Sequence, residues 1–152
     1  MTEKDGGSDV SSGTKTLAVE CKNKPYLYKL YGLKWFTSAT EGQVSIALAR
    51  IVDSVTGEPD KFLSAFLVSL RNEDDSLKSE IEVLRLKNKL GTKPVPTAEL
   101  VLKGVEAILI SERSKGIKLM SGMLNITRLY NASTAVSYAR RIHALNKDYA
   151  FR

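Results

Sequence analysis

The residues with the clearest chemical potential lie at the start of the chain, where two adjacent glycines are flanked by hydroxyl side chains. Gly6 and Gly7 allow their backbone N–H groups to approach a phosphate closely, and Thr2 and Ser8 supply hydroxyls, as in phosphate-binding loops. A flexible polar terminus has the same composition, and the pattern alone favours that interpretation. Because residues 1–14 lack apolar periodicity, they are predicted to form a loop without a helix or strand.

Few other residues could support catalysis by themselves. Cys21 is the only cysteine and His143 the only histidine, which excludes disulfide frameworks, zinc clusters and most nucleophile–histidine schemes. No metal site is predicted, and any chemistry must come from a bound cofactor. A single cysteine is compatible with a reducing intracellular compartment without requiring one.

The chain is basic, with a net charge of +6, and the charge is concentrated at one end. Residues 113–152 contain eight basic residues and one acidic residue, Asp148, so this part carries +7 and the remainder −1. A basic tail without an aromatic platform beside a groove is weak support for nucleic-acid binding. A solvated helix face or a small anionic ligand is the better interpretation.

Six segments with the features of β-strands follow the opening loop. In some of these segments large and small side chains alternate. In residues 43–52, for example, the large Val44, Ile46 and Leu48 alternate with the small Ser45, Ala47 and Ala49. Short polar connections separate them, including a turn at residues 23–25 and an acidic one at residues 72–75. The predicted strands are residues 15–21, 26–34, 43–52, 62–70, 80–87 and 98–103. This succession is typical of an antiparallel sandwich or barrel.

After Gly104 the spacing of apolar residues becomes helical. Residues 115–146 contain neither proline nor a strong turn cluster, which predicts one or two helices. Their apolar residues form a wide stripe, made of Leu129, Ala132, Ala135, Val136, Ala139, Ile142 and Leu145. So wide a stripe needs partner helices, from another subunit or from sequence that a longer relative would carry. The fold class is therefore α+β, with a β-domain at residues 1–110 and a helical part at residues 111–152.

Five sequence blocks, in the same order, resemble those of the acyl-CoA dehydrogenase family. In the first block, Thr2-Glu3 precedes Gly7-Ser8-Asp9, as a Thr-Glu pair precedes Gly-Ser-Asp in the family signature. The others are residues 32–38, 63–68, 89–100 and 116–128. The Thr-Glu-Lys opening and the Lys-Trp-Phe sequence are most similar to the branch typified by the bacterial alkylation-response flavoprotein. The resemblance implies a fragment: the middle β-domain and the start of the C-terminal helical domain of a tetrameric FAD protein.

The resemblance also assigns cofactor contacts. It implies that the Thr2 hydroxyl lies near the pyrimidine end of the flavin and the Gly-Ser backbone near the pyrophosphate. Phe36-Thr37-Ser38 matches the family's Trp-Ile-Thr, whose last hydroxyl faces the flavin atom that receives hydride, and Trp35 offers an alternative register. Without the family, Trp35 and Phe36 would be interpreted as core residues at a strand end. The implied flavin-binding residues are Met1, Thr2, Glu3, Gly6, Gly7, Ser8, Phe36, Thr37 and Ser38.

The implied activity is oxidation of the α,β-bond of acyl-CoA thioesters, in fatty-acid or branched-chain acyl metabolism. The implied substrate contacts are Ser8, Asn125, Thr127 and Arg128. Thr127 occupies one of two family positions for the glutamate that removes the α-proton, and a threonine cannot accept that proton at neutral pH. No catalytic residue is therefore nominated, Glu3 and Glu99 included. The alternative is a non-catalytic protein that binds acyl-CoA and flavin, with minor nucleic-acid contact through the basic helix.

Further expectations follow from the resemblance. The partners expected in the full-length protein are further copies of the subunit and an electron-acceptor protein or oxygen. The compartment stays open between mitochondrial and cytoplasmic, and no segment approaches the roughly 18 apolar residues that cross a membrane. Flavin retention by the isolated chain is expected to be poor. The first ten residues are expected to lie against the strand end at residues 35–38, with a cavity between them.

Overall fold

The computed structural model describes residues 1–7, 9–22 and 24–152. The chain divides into two compact units, Met1–Leu119 and Met120–Arg152. The predicted domain division after residue 110 stays a prediction. The elements in chain order are α1 (Val10–Gly13), β1 (Leu17–Glu20), β2 (Leu27–Ser38), β3 (Val44–Ile51), β4 (Ser64–Ser69), β5 (Ile81–Leu86), β6 (Thr97–Leu109) and α2 (Gly116–Ala150). The six predicted strands are confirmed in order, although Asn23 of the predicted first turn lies outside the described residues.

The first unit is a closed five-stranded barrel with one additional strand. The ring runs β2-β1-β3-β4-β6 and closes through the pairing of β6 with β2. β5 pairs with the beginning of β6, and β4 with its end. The predicted antiparallel barrel is confirmed, with one parallel pair between β1 and β3. A ring with an odd number of strands cannot alternate in direction throughout, so one pair has to be parallel.

Small side chains of β3 lie beside larger ones in the barrel interior. Ala47 and Ala49 of β3 are fully buried, and Ala47 lies opposite Phe66 of β4. The ring of Phe66 packs edge-on against Tyr28, with centroids 5.3 Å apart. The large Val44 on the other face of β3 is exposed. β3 therefore alternates as predicted, and the face that carries Ala47 and Ala49 points into the barrel. Small residues suit this face because a five-stranded barrel has a narrow interior.

Two sequence expectations about element boundaries are wrong. The helical pattern was expected to begin after Gly104, but β6 continues through this residue to Leu109. Gly104 has a φ of +91° and lies at a bulge, where the pairing with β2 skips one residue between Lys103 and Val105. A glycine at positive φ lets a strand continue through such a bulge, so it does not end the strand here.

The opening residues are also more ordered than a loop. Thr2 forms a β-bridge with Phe36, and residues 10–13 form the single helical turn α1. The carboxylate of Asp9 accepts hydrogen bonds from the backbone N–H groups of Ser11 and Ser12 and so caps this turn. The prediction that residues 1–14 form no helix is wrong at residues 10–13, because capping by Asp9 stabilises this turn and apolar periodicity does not reveal a cap. No strand forms in the described residues before β1, as predicted.

The second unit consists mainly of the helix α2, which begins four residues before it. α2 spans 35 residues, so the prediction of one or two helices resolves to one. Every residue from 121 to 152 is exposed, including the predicted stripe residues Leu129 and Val136. At the helix start, a β-carbon on Gly116 would lie 2.6 Å from the Ser64 carbonyl carbon, so only glycine fits there. Within the described residues, no helix combines the length and apolarity that crossing a membrane requires.

Candidate functional site

The predicted cofactor segments meet at a bulge near the end of β2. Lys34 pairs with Leu100 and Thr37 with Ala98, so two residues of β2, Trp35 and Phe36, lie opposite one residue of β6. A bulge of this kind frees backbone groups from the sheet and redirects side chains. The freed groups of Trp35 and Phe36 are available to another segment.

Thr2 pairs with these freed groups. The N–H groups of Trp35 and Phe36 donate to the Thr2 carbonyl at 2.8 and 3.3 Å, and the Thr2 N–H donates to the Phe36 carbonyl at 3.1 Å. We call this three-bond contact the Thr2 bridge. The expectation that the opening residues lie against the strand end at residues 35–38 is confirmed at Thr2.

Side chains after the bulge alternate between the outside and the inside of the barrel. Phe36 is 47 % exposed, and the exposed Ser38 places its hydroxyl 2.9 Å from that of Thr97. Thr37 is buried, and its Oγ1 is a buried polar atom without a hydrogen-bond partner among the described residues. Two of the three predicted flavin contacts on this strand, Phe36 and Ser38, are therefore accessible from outside, and Thr37 is not.

The glycines of the opening loop have different roles. A β-carbon on Gly6 would lie 2.7 Å from the carbonyl oxygen of Asp9 and 3.1 Å from the Cα of Gly13, so Gly6 allows the loop to fold back on itself. Gly7 has a φ of +50° and open space where a β-carbon would lie, so its backbone is the accessible part of the pair. Ser8, predicted to contact both cofactor and substrate, lies outside the described residues.

Glu3 is buried beneath the Thr2 bridge and accepts four hydrogen bonds. Its carboxylate receives the N–H of Lys15 at 2.7 Å, the N–H and hydroxyl of Thr16 at 3.1 and 2.5 Å, and the Lys34 ammonium at 2.8 Å. Lys34 is fully buried and also donates to the Leu48 carbonyl at 2.9 Å. We call Glu3, Lys15, Thr16 and Lys34 the Glu3 cluster. It joins the opening loop to β2 and β3.

The two buried charges of this cluster, Glu3 and Lys34, have shifted pKa values. Burial pushes the pKa of Glu3 upward, but the charge of Lys34 and the hydrogen bonds outweigh it, so this pKa lies below its ordinary value. Burial lowers the pKa of Lys34, and Glu3 opposes that shift. Sequence reasoning did not single out Lys34. Its position in the strand could have indicated burial, because Lys34 lies an even number of positions along β2 from the core residues Tyr28 and Leu30.

Glu99, opposite the bulge, is the centre of a second charged cluster. Its carboxylate accepts from Lys87 at 2.5 Å and from Arg85 at 2.7 Å. The Lys87 ammonium lies 3.3 Å from the centroid of the Trp35 ring, and Lys4 lies 4.7 Å from it. Burial raises the pKa of Glu99, but the bonds from Lys87 and Arg85 outweigh it and lower this pKa. We call Glu99, Arg85 and Lys87 the Glu99 cluster.

A cavity of about 230 Å³ lies beside the opening loop. It is lined by Glu3, Lys4, Asp5, Lys15, Thr16, Gly32 and Leu33. A cavity next to the opening residues was expected, and this one borders β2 at residues 32–33, before the expected strand end at residues 35–38.

The predicted substrate residues on α2 belong to the second unit and are exposed. The Thr127 hydroxyl donates to the Leu124 carbonyl at 2.8 Å, one turn earlier in the helix. The Arg128 guanidinium lies 3.4 Å from the Asn125 side-chain oxygen. These groups bond within the helix, and Thr127 offers no group that could accept a proton at neutral pH.

Comparisons with known proteins place the chain in a protein family. Residues 1–105 match the family model "Acyl-CoA dehydrogenase, middle domain". The chain is 48 % identical over 152 residues to acyl-CoA dehydrogenase family member 11 of Caenorhabditis elegans, covering 99 % of this chain and 24 % of that protein. It is 32 % identical to the putative acyl-CoA dehydrogenase AidB of Escherichia coli, covering 95 % of this chain and 25 % of that protein. It thus spans about a quarter of the length of these curated relatives.

Solved structures agree with the family match. The crystal structure of Caenorhabditis elegans ACDH-11 in complex with C11-CoA superposes with a TM-score of 0.85 at 48 % identity, covering 93 % of this chain and 24 % of that chain. An acyl-CoA dehydrogenase complexed with FAD from Bacillus anthracis superposes with a TM-score of 0.66 at 28 % identity, covering 84 % and 20 %. The resemblance named from the sequence blocks is confirmed.

Proposed function

The chain belongs to the acyl-CoA dehydrogenase family, and we propose that it forms the flavin-binding part of an FAD-dependent enzyme that oxidises acyl-CoA thioesters at the α,β-bond. The observation that carries this proposal is the Thr2 bridge. It joins the two segments to which the resemblance assigns flavin contacts, the opening loop and residues 36–38, although they are more than thirty positions apart in the sequence.

The side chains around the Thr2 bridge fit a flavin. The exposed ring of Phe36 offers an apolar surface for a planar heterocycle. The accessible backbone at Gly7 suits a diphosphate, which backbone N–H groups bind without interference from a side chain. The exposed Ser38 adds a hydroxyl for hydrogen bonding. These are the chemical groups that a ligand with a ring system and a diphosphate requires.

The proposed roles are binding and orientation. FAD supplies the hydride acceptor when bound. Phe36 would pack against its ring system, the Ser38 hydroxyl would donate a hydrogen bond to the ring edge, and the backbone at Gly7 would bind the diphosphate. Thr2 would contact the ring through its hydroxyl while its backbone stays paired with Phe36. Acyl-CoA is the proposed substrate, supported by the relative that was crystallised with C11-CoA.

No residue described in this chain is proposed as the base that removes the α-proton. Glu3 and Glu99 are both ion-paired, and their lowered pKa values make them weak bases. Thr127 lies at a position where some family members carry the base, and it has no basic group. We therefore propose that the base belongs to a part of the full-length protein outside residues 1–152. We also propose that the partners of the full-length protein are further copies of the subunit and an electron acceptor.

A chimera tests this proposal directly. Residues 1–152 would replace the matching segment of the Caenorhabditis elegans relative, and the purified chimera would be analysed for bound FAD. We expect stoichiometric FAD and loss of its visible absorbance on anaerobic addition of acyl-CoA. In Phe36→Ala we expect weaker FAD binding, and Phe62→Ala, another exposed phenylalanine, serves as the matched control. A chimera that folds but binds no FAD would contradict the proposal.

The second candidate is a non-catalytic acyl-CoA and flavin-binding protein. The absence of a basic side chain at Thr127 favours it over an enzyme whose base lies at this helix position. The two candidates differ in one readout, because a dehydrogenase loses flavin absorbance with acyl-CoA whereas a carrier retains labelled acyl-CoA without that loss. For the isolated chain we expect weak FAD retention under either function.

A further inference from the structure

We infer that Lys34 is a positioning residue: through Glu3 it holds the opening loop in place and thereby maintains the Thr2 bridge. The inference rests on the proposed function for the identity of the ligand, FAD, and on geometry for everything else. Lys34 itself does not reach the accessible face of the site, because its side chain is fully buried. Lys34 acts on the site through another residue and not by touching a ligand.

Two parallel connections link the same two segments. On the outer side, the backbone of Thr2 pairs with Trp35 and Phe36. On the inner side, the next residue, Glu3, forms an ion pair with Lys34, which directly precedes Trp35. The backbone pairing and the ion pair are one residue apart on both segments. Each connection therefore fixes the register of the other.

The two partners differ in their freedom to move. Lys34 belongs to β2, which is paired on both sides, and it is fully buried and also donates to the Leu48 carbonyl. Glu3 belongs to the opening segment, whose described residues form one isolated β-bridge with the barrel, at Thr2, and a bond from the Met1 amino group to the Ile46 carbonyl at 3.2 Å. If Lys34 loses its charge, a buried carboxylate remains without a counter-ion, and it lowers its free energy by moving into water. Movement of Glu3 displaces Thr2, its direct neighbour.

Trp35 provides a specific probe of this movement. It is the only tryptophan, and its N–H donates to Thr2. In Lys34→Met we expect the fluorescence transition of Trp35 to occur at lower urea than the loss of the NMR methyl signals of the core residue Val68. Hydrogen exchange of the Trp35 amide should become roughly tenfold faster or more, relative to amides of the barrel core. In the unmodified chain, both transitions should coincide.

Arg113→Met is the matched control. Arg113 forms a two-point ion pair with Asp60 at 2.7 and 2.8 Å in the same unit, and it has no contact with the Thr2 bridge among the bonds described. We expect this variant to shift both transitions together. If Lys34→Met behaves in the same way, or shifts neither transition, the inference is wrong.

A charge-free double variant separates positioning from general stability. In Glu3→Gln with Lys34→Met, neither ion is buried alone, and such replacements are often neutral for folding. We expect the Val68 signals to persist to at least the same urea concentration as in the unmodified chain, while the Trp35 transition remains early. This variant also serves if Lys34→Met alone does not fold. Joint recovery of both transitions would show a structural role only and would overturn the inference.

FAD binding supplies the final readout, in the chimera described above. We expect Lys34→Met to weaken FAD affinity roughly tenfold, with Arg113→Met unchanged. Unchanged FAD affinity in Lys34→Met would overturn the positioning role for the site. If the unmodified chimera binds no FAD, the proposed function fails, whereas the Trp35 measurements still decide whether Lys34 maintains the Thr2 bridge.

Discussion

Glu3 and Glu99 are two carboxylates beside the same bulge of β2, and they are bound in different ways. Glu3 accepts two backbone N–H bonds, a hydroxyl bond and a buried ammonium, and these partners belong to two other segments of the chain, residues 15–16 and β2. Among the described residues, Glu99 accepts from the side chains of Lys87 and Arg85 alone, and the Arg85 side chain is 62 % exposed. Both carboxylates are ionised and paired, yet only Glu3 ties separate backbone segments together.

This difference has a physical consequence. When an exposed arginine such as Arg85 loses its partner, it can turn to water at little cost in free energy. The Lys34 ammonium has no such path, because it is enclosed by the barrel. The Glu3 cluster should therefore control whether the barrel and opening loop stay joined, and the Glu99 cluster should mainly control the surroundings of Trp35.

The largest expected effect is that of Glu3→Gln. This substitution keeps the size of the side chain but leaves the Lys34 ammonium buried without a counter-ion. Breaking a buried ion pair from one side destabilises a protein by about 3–5 kcal/mol. We expect a loss of that size in the free energy of unfolding, measured by urea titration of the Val68 methyl signals. Glu99→Gln is the matched control, and an equally large loss there would contradict the comparison.

Much of the barrel could be predicted from sequence because it depends on local patterns. The alternation in residues 43–52 and the turns between strands identified six strands in the right order. The pattern could not show that β6 continues through Gly104, because a glycine at a bulge and a glycine at a strand end look alike in sequence. Nor could it show the parallel β1–β3 pair, which follows from closure of the ring.

The candidate site was predictable only in part. The family resemblance related Thr2 to Phe36, and the structure brings them together. Lys34 was missed because a lysine in a strand is normally solvent-exposed, and its burial depends on Glu3, thirty-one positions away. Such pairs arise from the three-dimensional arrangement of distant segments. A single sequence does not reveal such pairs. A lysine at the same alternating spacing as the core residues of its strand does indicate that it is buried.

The second prediction concerns the pH dependence of stability that arises from the Met1 amino group, two residues before Glu3. Burial, and then the charge of Lys34, lower the pKa of the Met1 amino group from 8.0 to about 6. Because the folded chain disfavours the charged form, stability should rise by about 2 kcal/mol as pH increases from 6 to 8. Below pH 6 the amino group is charged in both states and this dependence ends.

The measurement is a series of urea titrations between pH 5.5 and 8.5. Acetylation of the Met1 amino group removes the titrating group and is the control, so the acetylated chain should lack this rise. An equal rise in both forms would assign the pH dependence to another group.

The third prediction is Gly32→Ala. A β-carbon at Gly32 would lie 2.5 Å from the Thr16 hydroxyl and 2.9 Å from its Cα, so Thr16 must move and weaken its bonds to Glu3. We expect a loss of about 1–2 kcal/mol and faster exchange of the Thr16 amide. Gly122→Ala is the matched control, because its β-carbon meets open space within α2. That variant should stabilise the helix by up to about 1 kcal/mol, and a loss in both variants would argue against a special role for Gly32.

The smallest expected effect on stability is that of Lys87→Met. Lys87 contributes a cation above the Trp35 ring and a bond to Glu99, but Glu99 keeps Arg85 and no backbone segment is released. We expect a stability loss of about 1 kcal/mol or less together with a clear change in Trp35 fluorescence, since a charge 3.3 Å from the ring centroid is removed. Lys4→Met, which removes the more distant cation at 4.7 Å, should change the emission less. A loss in Lys87→Met as large as that in Glu3→Gln would mean that cations stacked on Trp35, more than the buried carboxylate, join the opening loop to the barrel.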